Sequence, residues 1–265
     1  MIFSITFQVK SDHDVLLPPF TSKLSRSILA KISPTYAKIM ESEEPFKPVR
    51  VTVIKDIDGN PVLALGNKKA VMKGGEVYKF SFSFLYSDIF DEILRNGGEV
   101  KIELWNVNFS AQIEDVKVVE EIEYYDSRFY YIKFITPTLL QPPRPPFKRK
   151  RNRFVLFPYS PLLLLSIARH WNKYMDHKIV GISGSKALYY FREVSYGLKP
   201  ITTYYDGKPV RGFQGWIIFE ITAKRNTKIR DNIQKLLNYA NFFGVGKSRA
   251  IGFGEILARP ISSNN

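Results

Sequence analysis

The chain has 265 residues, 45% of them hydrophobic, with no cysteine and a formal net charge of +14. Its length and hydrophobic share suffice for one large or two ordinary cores, while the missing cysteine excludes disulfides, thiolate nucleophiles, iron–sulfur clusters and cysteine-based zinc sites. No run of 18 or more apolar residues occurs and the amino terminus starts on an alternating strand, so the expectation is a cytoplasmic protein without a membrane partner.

Residues 2–9 alternate as a strand does. After Leu16-Leu17-Pro18-Pro19, apolar Leu24, Ile28, Leu29 and Ile32 recur at helical spacing, with Thr21 or Ser22 placed to cap the helix. Ser33-Pro34 opens a second short helix that ends about Met40. Residues 49–55 and 61–65 are predicted as strands around the turn Asp58-Gly59-Asn60, followed by a longer strand at 76–86. Ser87 to Arg95 reads as a helix closed by Gly97-Gly98, and residues 99–118 supply one or two strands. The order is β-α-β-β-α-β with one helical insertion.

The same order begins again with a strand from Phe129 to Ile135. Prolines 142, 143, 145 and 146 forbid regular structure in the basic stretch from Gln141 to Arg153. Ser160-Pro161 opens a helix running to about Met175, whose leucine run and Trp171 suit either a core or an interface. Strands are predicted at 187–197 and 214–222, then a helix at 228–241 with Ile229, Ile233, Leu236, Leu237 and Ala240 on one face, then a last strand at 250–258. The predicted fold is therefore α+β, two tandem ferredoxin-like domains at 1–122 and 123–265.

Residues 1–122 carry 15 basic and 17 acidic side chains, a net of −2, whereas 123–265 carry 24 and 8, a net of +16. A one-sided excess of this size is the electrostatic footprint of a polyanion binder. His13, His170 and His177 show no ligand spacing with acidic partners, so they read as structural or surface residues and no metal site is expected.

Gly244-Val245-Gly246-Lys247-Ser248-Arg249, followed by Gly252-Phe253-Gly254, lies between the last helix and the last strand. It is predicted to cradle phosphate: glycine amides approach an anion closely, Lys247 and Arg249 add charge, and Ser248 adds a donor. The alternative local reading is a helix cap at Gly244 and a bulge at Gly252, with the bases solvated. A nucleotide-binding P-loop at Gly246-Lys247-Ser248 is excluded, because Asn241 stands where that motif needs glycine and the order is helix then strand. Arg211-Gly212-Phe213 begins like the RNA-recognition octamer, departs from it at Gln214-Gly215, and is not taken as one.

The two glycine pairs before a final strand resemble the carboxy-terminal loop of the repeat-associated RNA-binding superfamily. With Gly212-Phe213-Gln214-Gly215, Thr136-Pro137-Thr138 and the Leu17-Pro18-Pro19 entry to a helix, the chain is most similar to the sixth CRISPR-associated family, the repeat endoribonucleases. The resemblance implies paired ferredoxin-like domains, CRISPR repeat RNA as the partner and no cofactor. It also implies metal-free attack of a ribose 2′-hydroxyl on the adjacent phosphate, giving a cyclic phosphate. Other CRISPR effector subunits and a second copy of the chain are further expected partners.

Many members of that family use a histidine from the helical region after the first strand; here residues 20–45 contain none, and Met40 stands about where it falls. The catalytic role is therefore assigned to Lys23, Lys38 and Lys47 as charge stabilisers and Tyr36 as proton donor, in a slow enzyme. His13, between Asp12 and Asp14, reads as incidental. RNA contacts are assigned to Arg26, Arg211, Gly244, Gly246, Lys247, Ser248, Arg249, Gly252 and Gly254, with Lys148, Arg149 and Arg151 trailing along the phosphate backbone. Without catalysis, the same features describe an RNA-binding subunit of a CRISPR effector complex.

Overall fold

The alternating amino-terminal run forms β1 (Ile2–Ser11), the centre of a five-stranded antiparallel sheet in the computed structural model, which describes residues 1–143 and 153–261. The chain divides into two units. The first comprises Met1–Glu121 with Thr202–Val210 and Ala250–Gly252, and the second comprises Ile122–Ile201, Arg211–Arg249 and the stretch from Phe253 on.

In the first unit β1 is followed by β2 (Val15–Leu17), α1 (Ser22–Ile32), α2 (Pro34–Glu41), β3 (Val49–Val51), β4 (Ala70–Met72), β5 (Tyr78–Phe84), α3 (Ser87–Arg95), β6 (Glu99–Leu104) and β7 (Val107–Val119). The large sheet runs β3-β5-β1-β7-β6, and β2 pairs with β4 in a separate ribbon. Ile5, Phe7 and Val9 share one face of β1 and are buried with Phe80, Phe82 and Phe84 of β5 under Leu24, Ile28 and Leu29 of α1 and Ile89 and Ile93 of α3. Each such side chain contributes about 1.5–3 kcal/mol by leaving water.

The helical insertion, α2, has an identifiable anchor. Ser33 caps it by accepting from the Tyr36 amide, and Glu92 of α3 accepts from the Thr35 amide at 3.1 Å and the Thr35 hydroxyl at 2.7 Å. Burial raises the Glu92 pKa, but these hydrogen bonds, together with the one from Ser33 and the charge of Lys38, outweigh it and hold the carboxyl below its ordinary value.

The second unit contains β8 (Phe129–Thr138), α4 (Ser160–Tyr174), α5 (Gly184–Tyr190), most of β9 (Phe191–Tyr205) and of β10 (Lys208–Ile221), α6 (Lys228–Phe243) and β11 (Ile256–Ile261), with sheet order β11-β8-β10-β9. Taking β8, β9, β10 and β11 as strands one to four, that order is 4-1-3-2, the ferredoxin-like arrangement. Ile233, Leu236, Leu237 and Ala240 of α6 are buried, as is His170 of α4, whose Nδ1 pairs with the Tyr239 hydroxyl at 2.7 Å. His170 is thus a core residue.

Several local expectations are corrected. Residues 61–65 form isolated bridges, because Pro61 has no amide and the Val62 and Ala64 amides go to Ile54 and Pro19 carbonyls instead of one neighbouring strand. Residues 184–190 are helical: Ser183 accepts from the Lys186 amide, a cap hidden before a run of aromatic residues that reads as strand. The last strand begins at Ile256, after a 3-10 turn at Arg249–Ile251. Among the described residues no helix is long and apolar enough to cross a membrane.

Candidate nucleic-acid interface

The start of α1 is fixed from two sides within the first unit. The Thr21 hydroxyl donates to the Val62 carbonyl at 2.8 Å and accepts from the Ile54 amide, and the Ser22 hydroxyl donates to the Ile251 carbonyl at 2.7 Å. Beyond these anchors, Lys23, Arg26, Ser27 and Ala30 fall at i, i+3, i+4 and i+7, so they form one stripe along the helix. That stripe lines a cavity of about 370 Å³, closed by Tyr36, Ala37, Met40 and Glu41 of α2 and by Asp206. Met40, at the position expected for a histidine, therefore stands in the same cavity as Lys23 and Arg26.

Arg26 is half-buried, and its Nη1 donates a hydrogen bond to the Tyr205 phenol. Tyr205 lies edge-on to Phe20, with ring centroids 6.0 Å apart. Burial raises the Tyr205 pKa, the Arg26 charge opposes that shift, and Asp206 adds to it. Tyr36 sits behind Arg26, fully buried and edge-on to Phe82. Burial pushes its phenol far above the ordinary tyrosine value, against the smaller downward pull of Arg26. The phenol oxygen is itself buried, which sets Tyr36 apart from the exposed groups that could exchange a proton with RNA.

The three lysines assigned together are separated. Lys23 is exposed at the cavity. Lys38 is exposed elsewhere on α2, where its charge acts on Glu92. The Lys47 ammonium caps the carboxyl end of α2, donating to the carbonyls of Ile39, Met40 and Ser42. Tyr205, Asp206 and Glu41 were not anticipated. The first two lie far along the chain on the β9–β10 hairpin tip, and no local pattern links them to α1.

In the second unit the glycine-rich loop is held by its own backbone. Gly244 caps α6, its amide bonded to the Ala240 carbonyl at 2.7 Å; the Val245 amide goes to the Gly254 carbonyl, the Gly254 amide to Pro137, and the Lys247 amide to Leu139. The Gly246 amide is engaged as well, donating to the Ser166 hydroxyl oxygen at 3.0 Å. The predicted cradle of glycine amides is therefore corrected. The glycines are required by close approach: a Cβ on Gly254 would lie 1.9 Å from the Val245 carbonyl oxygen, and one on Gly244 2.5 Å from that of Gly254. Gly252, in the first unit, instead meets side chains: a Cβ there would lie 2.9 Å from that of Ser22 and 3.1 Å from the Phe20 ring.

Arg249 is also turned inward. It is 6% exposed and its Nη1 donates to the Gly244 carbonyl, which makes it a loop brace. Lys247 and Ser248 are exposed at the tip, with Ser248 at φ 62°, and Arg211 is exposed on β10. Lys148, Arg149 and Arg151 lie outside the described residues. Among the described residues no three His, Asp or Glu side chains gather in a way that could hold a metal ion.

Known proteins give this arrangement its context. The Cas6 N-terminal domain family model matches residues 3–119, and that of the CRISPR-associated endoribonuclease Cas6 matches residues 132–256. Two curated relatives from Saccharolobus solfataricus, named CRISPR-associated endoribonuclease Cas6 1 and Cas6 2, are 29% and 27% identical and align over 97% of this chain and 96% and 95% of theirs. The solved structure of Thermus thermophilus Cas6 superposes with a TM-score of 0.68 at 14% identity, covering 98% of both chains. A Cas6-related protein from Pyrococcus furiosus does so at 0.63 and 14%, covering all of both. Across two matched domains and nearly its whole length, the chain belongs to the Cas6 family.

Proposed function

We propose that the protein is an endoribonuclease that binds CRISPR repeat RNA and cuts it to release guide RNAs, without a metal ion, by attack of a 2′-hydroxyl on the neighbouring phosphate. The observation that carries this reading is the cavity in which Met40, Lys23 and Arg26 meet, on a chain matched by Cas6 in both halves. Lys23 and Arg26 neutralise charge that builds on the phosphate oxygens as the hydroxyl attacks. Tyr205 and Tyr36 aim the Arg26 guanidinium. Glu41 and Asp206 are the carboxylates lining the same cavity, placed to take the hydroxyl proton. As the 2′-oxygen bonds to phosphorus, the bond from phosphorus to the 5′-oxygen breaks; with no histidine to hand the leaving oxygen a proton, that proton comes from water and cleavage is slow, since general acid–base catalysis supplies roughly 10² to 10⁴ in rate.

Lys247, Ser248 and Arg211 contact the RNA backbone, and Arg249 with the loop glycines holds Lys247 and Ser248 in place. The histidine-free region at 20–45 favours one other reading, an RNA-binding subunit of a CRISPR effector complex that does not cut. Incubation with labelled repeat RNA in EDTA separates the two, beside a copy with a 2′-deoxy substitution at the scissile nucleotide. The proposed function gives a single cut in the first RNA and none in the second, with both bound. Binding of both without any cut leaves the subunit.

A further inference from the structure

The two sheets present different faces away from their helices. In the first unit that face is polar, with Ser4, Thr6 and Gln8 of β1 opposite Ser83, Ser81 and Lys79 of β5. In the second it is aromatic and basic. Trp216 of β10 lies opposite Lys133 of β8, which lies opposite Leu257 of β11, and in the next row Ile218, Tyr131 and Arg259 line up. Tyr131 and Trp216 are diagonal neighbours whose rings are near parallel, 6.1 Å between centroids and 20° apart. Both are half-buried, while Lys133 and Arg259 are exposed.

The sequence around Trp216 has an explanation in these terms. The RNA-recognition octamer runs Arg/Lys-Gly-aromatic-Gly/Ala-Phe-Val-x-aromatic. Arg211-Gly212-Phe213 supplies its first three positions and Gly215-Trp216-Ile217-Ile218-Phe219 its last five, with Gln214 as one inserted residue. A single insertion flips a strand residue to the other face. Phe213 accordingly points into the core, fully buried against Phe134, while Trp216 takes the open face. Gln214 donates to the Ile135 carbonyl at 2.7 Å, where the pairing of β10 with β8 shifts register. In the 4-1-3-2 sheet β8 and β10 are the central strands, the pair that carries the base-stacking aromatics in RNA-recognition folds.

We propose that this open face is a second RNA platform, on which unpaired bases stack on Tyr131 and Trp216 while Lys133 and Arg259 hold the flanking phosphates. The inference rests on the reading that the chain binds RNA. A protein occupant is disfavoured because protein interfaces are depleted in lysine, whereas here bases alternate with aromatics on the half that carries a net of +16.

The test uses the full chain and an unstructured single-stranded RNA of about twelve nucleotides, read by fluorescence anisotropy, beside the same RNA with abasic positions. Trp216→Ala and Tyr131→Ala are each expected to weaken binding about tenfold, with Trp216→Phe restoring most of it. Lys133→Ala with Arg259→Ala is expected to lower the salt slope by about two. Equal binding of intact and abasic RNA by the unaltered chain, or binding within twofold by the aromatic variants, overturns the platform and leaves the proposed function standing. No RNA binding by the unaltered chain removes both. If an aromatic variant fails to fold, the charge variants and the abasic RNA decide.

Discussion

Arg26 and Tyr205 are joined by a hydrogen bond from a guanidinium nitrogen to a phenol oxygen, although 179 residues separate them in the chain. The contact fixes the direction of the one cation in the Met40 cavity that is not fully exposed. Tyr205→Phe keeps the ring against Phe20 and removes only the acceptor. In single-turnover cleavage of repeat RNA the variant is expected to be about tenfold slower, because a misaimed phosphate ligand costs rate, while RNA affinity stays within twofold. An unchanged rate would detach the hairpin tip from the chemistry.

Lys23 and Lys47 are equivalent in the sequence and different in the structure. Lys23→Ala is expected to slow cleavage about 10²-fold, the usual loss when one charge-stabilising group is removed, with an unchanged melting curve. Lys47→Ala removes the cap of α2 and is expected to lower stability by about 1 kcal/mol, visible as a lower urea midpoint. A normal midpoint in Lys47→Ala together with a lost cut would return Lys47 to the catalytic group.

The order of elements was legible because period-2 and period-3.6 patterns survive in β1, β5, α1 and α3, whose apolar faces meet in the core of the first unit, and in α6 of the second. The cap at Ser183 was hidden by the aromatic residues after it. The site was half legible. Lys23 and Arg26 share a helix stripe that spacing alone reveals, whereas Tyr205 and Asp206 reach the cavity through tertiary structure. The glycine loop was read as a phosphate cradle, since composition shows that backbone must come close but not to what. Here it comes close to other backbone.

That distinction is measurable. Gly254→Ala places a methyl 1.9 Å from the Val245 carbonyl oxygen at φ 68°, and is expected to cost more than about 2 kcal/mol or prevent folding. Lys247→Ala, at the exposed tip, is expected to leave stability unchanged and to lower the salt slope of RNA binding by about one. A folded Gly254→Ala with weakened RNA binding alone would restore the phosphate cradle.

Met40 offers a gain-of-function test. Met40→His puts an imidazole into the cavity with Lys23 and Arg26 and is expected to speed cleavage at least about tenfold near neutral pH, within the range of general acid–base catalysis. The pH profile should acquire an inflection near 6.5 that the unaltered chain lacks. No gain would place the scissile bond away from Met40.

Alkaline stability follows from three buried phenols. Burial is the main cause in each case: it pushes Tyr130 up to about 12 and takes Tyr36 and Tyr239 higher still. In the unfolded chain a tyrosine loses its proton near pH 10. Below that value both states hold the proton and the contribution to stability is complete. Above it the unfolded state binds fewer protons than the native state, so unfolding becomes easier as pH rises, by about 1.4 kcal/mol per pH unit for each phenol still protonated in the fold. The Tyr130 share stops growing near pH 12, where its native form also ionises. Urea unfolding at pH 8, 9.5, 10.5 and 11 is therefore expected to show a flat start and then a steep fall, and Tyr130→Phe should reduce that slope by up to about 1.4 kcal/mol per pH unit. A stability that stays flat to pH 11 would mean that these phenols ionise inside the fold as readily as outside it.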